Sequence, residues 1–600
     1  MNKSTMRGAA RMAKRAIDMT AKPLLQLVTP LPCGPCEIVS LAGADAINDL
    51  SEHRLEFRLP VPEQNPPMLA KRLLDTPVVV AVTSAAGERF VAGVIDELEC
   101  DARGEVWTAI IRPRLSALSE RRNVRSFTGR NVLDVVKVIL NDHRLAGTLQ
   151  THFAPGAQPS IREFVQQVGE TDLEFVRRLW EEEGWSFYFV SGPGGDQLHL
   201  TDGVDLWLDL PGEPIQERRG SNARAKSDVI MTWRWLWRRT SSGTSVGAYD
   251  FTRVEPRLAK AAGGRGTIPS SRQAEGKCLD ADGLQRIARL NSRRDDAKAA
   301  TIHGSGDVRA FSPGHIFTRA ANGSRFLLTR VRIDAQQLPG PSFRCWFEAV
   351  PAGGGSAPFC PPISTASPRL TGVFPAEIVE VADKHDRVRL RLAWQQEGES
   401  TGWCGTVHPA NSRMRYDKDQ RVLVAFLDGH PDLPMVLGQI GHAGAKDFDP
   451  SSEPEISGIH TVGHDLLFDD TLGQESVGIH SGGSVSQTAK GDWHHAVGGN
   501  SVSTVSGSED LSVERDARTQ VGGSWMQHVM KNAQMTADGK LELRGKSVVI
   551  GSKDSYILAS DKGLFFVGNI LHFKPPGMKA PSVGGPLKVS RPKGRPKRNS

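Results

Sequence analysis

Seven cysteines, an odd number scattered over 600 residues, are too few and too dispersed for a disulfide framework, and point to assembly in a reducing cytosol. Nor is there an apolar run long enough to span a membrane. The first 23 residues carry Lys3, Arg7, Arg11, Lys14 and Arg15 against one acid, Asp18, and lack the apolar core of a signal peptide. Export by the usual N-terminal signal is therefore not expected. The net charge is also small: +6 is mild for this length and does not by itself call for nucleic acid. What remains is an ordinary globular composition, 39% hydrophobic and 24% charged, with room for roughly four domains of about 150 residues.

What the chain does have is glycine, 61 residues of it, and an eight-residue repeat between about Ser481 and Arg544. Val497-Gly498-Gly499-Asn500, Val505-Ser506-Gly507-Ser508, Val513-Glu514-Arg515-Asp516, Val521-Gly522-Gly523-Ser524 and Val529-Met530-Lys531-Asn532 fall into register. Weaker copies begin at Ser481, Ala489 and Ala537. A period this short excludes helical repeats and fits one short strand and one turn per octad. Valine at the first place suits a buried strand position. Glycine at the third allows positive φ, and Asn, Asp or Ser at the fourth favours turning. The glycine is replaced at Arg515 and Lys531, where the pattern weakens. One octad encloses no core. Either three octads of one chain form a 24-residue solenoid turn, or three identical chains wind together. Both give a stiff, edge-poor β rod.

Ahead of the rod, Pro23 to about Leu118 has a β pattern, with a hairpin from Val78–Val82 and Phe90–Ile95 about Gly87. One helix starts at Asn131, with Asp134 three residues on and Val132, Leu133, Val136 and Leu140 as its apolar residues. A second starts at Thr171, with Glu174 in capping-box spacing, Leu173, Val176 and Leu179 on one face, and Gly184 as C-cap. A strand, Trp185–Val190, follows. Asp228–Val350 returns to β segments, broken by a loop from Gly263 to Gly276. The Pro/Gly-rich stretch Pro351–Pro368 marks the strongest boundary. Beyond it, Thr371–Gly441 holds short strands such as Arg387–Leu392 and Arg421–Phe426, which suits a small closed barrel.

Several local motifs invite chemistry, and each has a plainer reading. Cys33-Gly34-Pro35-Cys36 has the redox spacing, but its flanks read as strand, turn, strand, with no helix N-terminus to activate a thiol. A hairpin turn is expected. Gly545-Lys546-Ser547 ends like a phosphate loop, yet five residues separate Gly539 from Gly545 where four are needed. Glu181-Glu182-Glu183 point to different helix faces and read as a solvated helix end. His460, His464, His494 and His495 lack companion cysteines and zinc-like spacing, and read as surface residues of the rod. Trp233, Trp235 and Trp237 share one strand face, with Arg234 and Arg238 on the other; packing against a neighbouring domain or subunit is the reading preferred over base stacking. Gly594-Arg595-Pro596 resembles the core of a minor-groove AT-hook, within what reads as a flexible basic tail.

Three stretches together are similar to one family. Thr171–Gly184, Phe426–Pro434 with Val436-Leu437-Gly438, and Leu467–Glu475 resemble the helix, barrel signature and rod lead-in of VgrG, the valine-glycine repeat spike proteins of type VI secretion, in matching order. The resembling residues are Glu181, Glu182, Glu183, Gly184, Asp428, Gly429, Pro431, Asp432, Pro434, Asp469, Asp470, Gly473 and Glu475, together with Val497, Gly499, Val505, Gly507, Val513, Val521, Gly523 and Val529 in the octads.

The resemblance implies a mainly β, multi-domain chain with a few helices. Its parts would be an N-terminal segment 1–22, a phage tail hub-like base 23–350, a linker 351–370, an OB-fold barrel 371–445, a triple-stranded β-helix needle 456–570 and a basic Pro-rich tail 571–600. It also implies a homotrimer seated on a hexameric tube protein, capped by a PAAR-repeat tip protein. Effector or adaptor proteins would be carried, with the C-terminal tail as one attachment point, and the target cell membrane met transiently. Assembly would be in the bacterial cytoplasm, followed by secretion through the type VI apparatus. About 30 residues follow Val567, too few for a catalytic core, so no catalytic residue, cofactor or metal is called for. A phage or phage-like tail spike, a thiol-redox enzyme and a DNA-binding protein are the alternatives.

Overall fold

A computed structural model describes residues 23–568 except 85–86, 156–158, 160, 204–205, 219–227, 251–254, 263–265, 275–280, 354–358, 361, 363–364, 367, 382–384, 409–415, 441–454 and 462. The segment 1–22, the basic tail 571–600 with its Gly594-Arg595-Pro596 core, and parts of the linker 351–370 and of the Gly263–Gly276 loop lie outside the described residues. The chain is mainly β. It divides into two compact units, Met1–Ser484 and Val485–Ser600.

The first unit is built on a 13-stranded sheet. The Val78–Val82 run forms the hairpin expected of it: Pro77–Ser84 pairs antiparallel with Gly87–Cys100, closing at Ser84 opposite Gly87. Val78, Val80 and Val82 on one face and Val79 and Ala81 on the other are all buried, which is why the run is apolar without alternation. The sheet joins the start of the chain to a stretch nearly 300 residues later, through Glu37–Ala46 paired with Arg325–Gln336 from Ser40↔Gln336 to Ala46↔Arg330. Its core includes Leu41, Leu55, Phe57, Trp107, Phe311, Phe317, Val331 and Phe347.

Four helices occur among the described residues: α1 (Pro66–Leu73), α2 (Val132–Asp142), α3 (Asp172–Glu183) and α4 (Ala281–Ala297). The start of α2 is capped by the Asn131 side chain, which accepts from the Asp134 amide. At α3 both arms of a capping box are made between Thr171 and Glu174, and Gly184 ends it in left-handed conformation, φ 76°. The two helices close a core with Val136, Ile139, Phe175, Leu179, Trp180 and Phe187.

The reading of Pro23–Leu118 and Asp228–Val350 as all β missed α1 and α4. The first is a two-turn helix with Asn65 as N-cap and proline in its first turn. The second buries only three apolar residues, Leu284, Ala288 and Leu290, together with Ser292 and Arg294, so its amphipathic signal is faint.

A five-stranded sheet follows in the same unit, in the order Val388–Leu392, Val373–Val381, Arg421–Phe426, Pro434–Gln439, Gly405–Thr406. Its two ends meet: Val388 and Cys404 exchange backbone hydrogen bonds of 3.0 and 2.8 Å. The cyclic strand order is therefore first, second, third, fifth, fourth, with the third and fifth parallel. Alternate residues Val388, Leu390 and Leu392, with Ile378, Val422, Val424 and Val436, fill the interior. A three-stranded sheet, Ile456–Thr461, His464–Asp469 and Ser476–Ser481, completes the unit.

The second unit holds the octads and a terminal three-stranded sheet, Ser547–Gly551, Tyr556–Ser560 and Gly563–Val567.

Candidate functional site

No cluster of three or more His, Cys, Asp or Glu side chains able to hold a metal occurs among the described residues. The residues with motif character gather instead at a buried junction, where α3 and the strand before it meet the barrel. That strand, Ile161–Thr171, pairs with Arg122–Asn131. It contributes Phe164 to the barrel core, and the Gln166 amide donates to Asp432 Oδ1 at 2.9 Å. The Gln166 side chain donates to the Pro431 carbonyl and accepts from Trp394 Nε1 at 3.1 Å. Gln166 was not singled out by sequence, since an isolated glutamine in a strand carries no signal of what it will bridge.

Arg178 of α3 sits at the centre, 2% exposed. Its guanidinium donates twice to Glu170, at 2.8 Å through Nε and 2.8 Å through Nη2, and once to the Gln166 carbonyl at 2.9 Å. Glu182 is 3.4 Å from it and Asp432 4.0 Å. Burial opposes its charge, but its hydrogen bonds to Glu170 and the charges of Glu182 and Asp432 outweigh burial, so its pKa lies above the ordinary value. For Glu170 burial dominates and pushes the carboxyl up, with Arg178 pulling it down. A second network surrounds Asp172, fully buried: Arg121 and Arg125 each reach it at 2.7 Å and His143 at 2.8 Å.

Glu181, Glu182 and Glu183 do not form the solvated helix end expected of them. Glu182 is paired with Arg162 and Arg178, and Glu183 with Arg162 and Arg286. Glu181 accepts from the Thr365 amide at 3.1 Å. The cause is α4, which covers the helix end: Arg294 donates to the Glu181 carbonyl, and a Cβ at Gly184 would collide with Leu290.

The remaining motif residues are turn formers. Asp428 (φ 50°) and Gly429 (φ 71°) are consecutive left-handed residues before Pro431, and Pro434 opens the next strand. Asp469 Oδ1 accepts from the Thr471 amide at 2.9 Å in the turn containing Asp470, Gly473 (φ 81°) and Glu475. Cys33 and Cys36 lie in a turn closed by the Gly34 amide on the Leu31 carbonyl at 3.0 Å. Trp233 packs into its own sheet, against Phe326 at 4.9 Å between centroids and under Arg319. Trp235 and Trp237 stack on each other at 5.7 Å, and Trp237 is exposed. His464 accepts from or donates to Ser481 at 2.9 Å, and His494 and His495 are exposed. The side chain of His460 lies outside the described residues.

The octads are the opposite of the junction. Their backbone bends at 482–483, 490–491, 498–499 and every eight residues to 538–539, without interruption at Arg515 or Lys531. Among the described residues, 484–546 form no strand pairing. The first-place valines 497, 505, 513, 521 and 529 are 42–50% exposed, whereas Val502, Leu511, Met526 and Met530 are 87–91% exposed. The third-place glycines 499, 507 and 523 do not adopt positive φ. The left-handed turn expected at that place is absent, which is why Arg515 and Lys531 fit there without strain.

The model of the phage tail baseplate hub (GPD) family matches residues 44–339, the large sheet with its helices. The type VI secretion system spike protein VgrG4b of Pseudomonas aeruginosa is 25% identical over 468 residues, 68% of this chain and 53% of its own length. The spike protein VgrG5 of the same organism is 24% identical over 551 residues, 81% of this chain and 64% of its own length. The chain is similar to VgrG spike proteins over most of its length. It spans between about half and two thirds of the length of these two VgrG relatives. Among solved structures, the E. coli c3393 protein, described as a type VI component resembling T4 tail proteins gp27 and gp5, superposes with TM-score 0.50. It is 18% identical and covers 69% of this chain and 99% of its own. That likeness carries the fold: a hub sheet and barrel formed by one chain.

Proposed function

We propose that this chain is the structural spike of a type VI secretion system, a homotrimer that caps the inner tube, punctures the target envelope and delivers effectors. The observation that carries it is the octad stretch. More than sixty consecutive residues bend every eight positions and form no strand pairing among the described residues, yet the five octads from Val497 to Val529 each hold their first-place valine half-shielded. Backbone donors and acceptors left so in every octad are satisfied in a closed structure by other strands, and identical chains supply them in register. The reading is therefore an intertwined β-helix needle and not a single-chain solenoid.

The cyclic strand order of the barrel supports an OB-fold collar, and the 13-stranded sheet with its helices a hub-like base on a hexameric tube protein. A PAAR-repeat protein at the needle end and effector or adaptor proteins complete the partners. The chain is made in the cytoplasm and leaves through the apparatus. No step of this function needs a catalytic residue or cofactor: the needle transmits force, and closure of identical chains removes sheet edges. Each buried valine adds roughly 1.5–3 kcal/mol per chain.

Sedimentation of the full-length protein tests this directly. A trimer is expected. A stable monomer with an intact β signal overturns it in favour of a solenoid. A second reading, the spike of a phage-like contractile particle, is favoured by the match to the tail hub family. Killing of target cells that disappears when the type VI sheath gene is deleted separates the two.

A further inference from the structure

A stack of identical octads has a weakness in its symmetry. Slide one chain by eight residues past its neighbours and valine again faces valine at nearly every level, at the loss of one octad of contact. Three chains joined only through the repeat would thus assemble in several registers, as strands without a distinctive pattern do. Something that does not repeat has to hold the register.

We infer that the terminal sheet Ser547–Val567 is the register clamp of the assembly, occupied by the same sheet of two further copies of this chain. The inference rests on the trimeric reading above and adds which surface sets its alignment. The spacing of the bends changes only here, from eight residues to seven, between 538–539 and 545–546. The sheet begins at the next residue.

Its two faces are both apolar. Val549, Leu558 and Phe565 are cross-strand neighbours on one face, and Ile550, Ile557 and Phe566 on the other. Val549 is 60%, Ile550 55% and Phe566 48% exposed. In the sheet at residues 456–481 the pattern differs. Ile459, Leu466 and Ile479 line one face, while the other has Gly458 and Gly478 beside Leu467, with Asp465 and His480 at the next level. That sheet needs cover on one side, and the terminal one on two. Large apolar surface on both sides of so thin a sheet is not stable in water.

Copies of the chain are the occupant the octads already require, and their threefold closure brings three terminal sheets to one place. The residues that follow Phe573 are a poor substitute. They are dominated by proline, lysine and arginine, and proline cannot donate to a ladder.

Full-length chains carrying Val505→Cys and Val513→Cys report the register when oxidised and the linked peptides are identified by mass spectrometry. With the terminal sheet intact, 505–505 and 513–513 links are expected and 505–513 links only in traces. Introducing Phe566→Asp should turn 505–513 links from a trace into a product comparable with the same-number ones, while the protein still sediments as a trimer. Same-number links alone in that variant overturn the clamp, including the case where the face binds a foreign protein. If Phe566→Asp abolishes the trimer, Phe566→Ala decides: mixed links uphold the clamp, and exclusive same-number links overturn it. A monomer of the chain with its natural terminal sheet sinks the trimeric reading instead, so the two failures are distinct.

Discussion

Arg178 and Val513 stand for two ways of making a protein rigid. At the junction between hub and barrel every partner of Arg178 comes from its own chain, and the guanidinium is sealed from water by Phe175, Gln166 and the barrel loop. In the octads Val513 has no strand paired beside it among the described residues and is 48% exposed. The first region is complete within one chain. On the trimeric reading proposed above, the second is a surface for identical chains. A defect at the junction should therefore act on unfolding of the hub, and a defect in the octads on association.

The sharpest way to break that contrast is Val513→Asp. It would place three carboxylates near one point, one from each chain, without partners, at several kcal/mol each plus mutual repulsion. Trimer and killing should be lost, with the hub still folded by its own unfolding transition. Val513→Ile should be tolerated, and Glu514→Lys, pointing outward if the strand alternates, should be near neutral. A stable functional Val513→Asp trimer would mean that first-place valines do not face the assembly axis.

Arg178→Ala is the matching test on the other side. Removing it leaves Glu170 without its guanidinium partner, while Glu182 keeps Arg162 and Asp432 keeps the Gln166 amide, and breaking a buried pair in this way costs about 3–5 kcal/mol. The hub transition in a thermal melt should fall, while cross-linked trimer yield below that transition stays unchanged. Arg178→Lys should lie between, since a lysine keeps the charge but loses the fork that grips both oxygens of Glu170. Loss of trimer without loss of hub stability would erase the division between the two regions.

Acid provides a milder probe of the same division. His199 in the hub shares a 2.9 Å hydrogen bond with His152 and is buried against Tyr188. Burial first, then the charges of His152 and His315, lower its pKa to about 4. The unfolded chain binds a proton near the usual 6.5 that the folded hub refuses, so stability is full above that value. It falls with pH through the window from 6.5 to about 4, by up to about 3 kcal/mol. The hub melting temperature should drop across this window and His199→Phe should flatten the drop. An unchanged profile in that variant would place the acid sensitivity elsewhere, with the Asp172 network, whose lowered pKa is lost at still lower pH, as the next suspect.

What could be read ahead of the structure follows from locality. The capping residues Asn131, Thr171 and Glu174, the valine hairpin and the barrel strand Arg421–Phe426 are set by neighbours a few positions away, and they stand where local pattern puts them. The apolar signal of α4 was hidden because Arg286, Arg289, Arg293 and Arg294 interleave with its few apolar residues. With α4 unseen, nothing in the sequence around Glu181–Glu183 could tell that Arg286 and Arg294, more than a hundred positions away, would join Arg162 and Arg178 in covering them. The octad glycines misled for another reason: glycine permits positive φ, but permission is not use, and Arg515 and Lys531 already marked the place as one that needs none.

The smallest expected effect concerns Cys33 and Cys36, and it separates a turn from a site. The two thiols sit at half-buried positions against the hub core, in a turn where Gly34 takes φ 80°. The end of α1 that lies beside the turn is its last one, where Arg72 donates to the Pro32 carbonyl at 3.0 Å, and a helix C-terminus does not stabilise a thiolate. The thiol of Cys33 is lowered chiefly by its hydrogen bond with Cys36, whose own thiol is raised by the same bond and by burial. This is chiefly the two sulfurs sharing one proton, which any close pair does, with the Arg72 charge a smaller contribution at Cys33. Changing both to Ser keeps the turn and its Leu31–Gly34 hydrogen bond, and removes only the sulfur chemistry. Trimer formation and sheath-dependent killing should match the natural protein, with the hub transition moved by about 1 kcal/mol at most from exchanging half-buried sulfur for hydroxyl. Killing lost while the trimer and the hub transition persist would show that the pair does more than turn the chain.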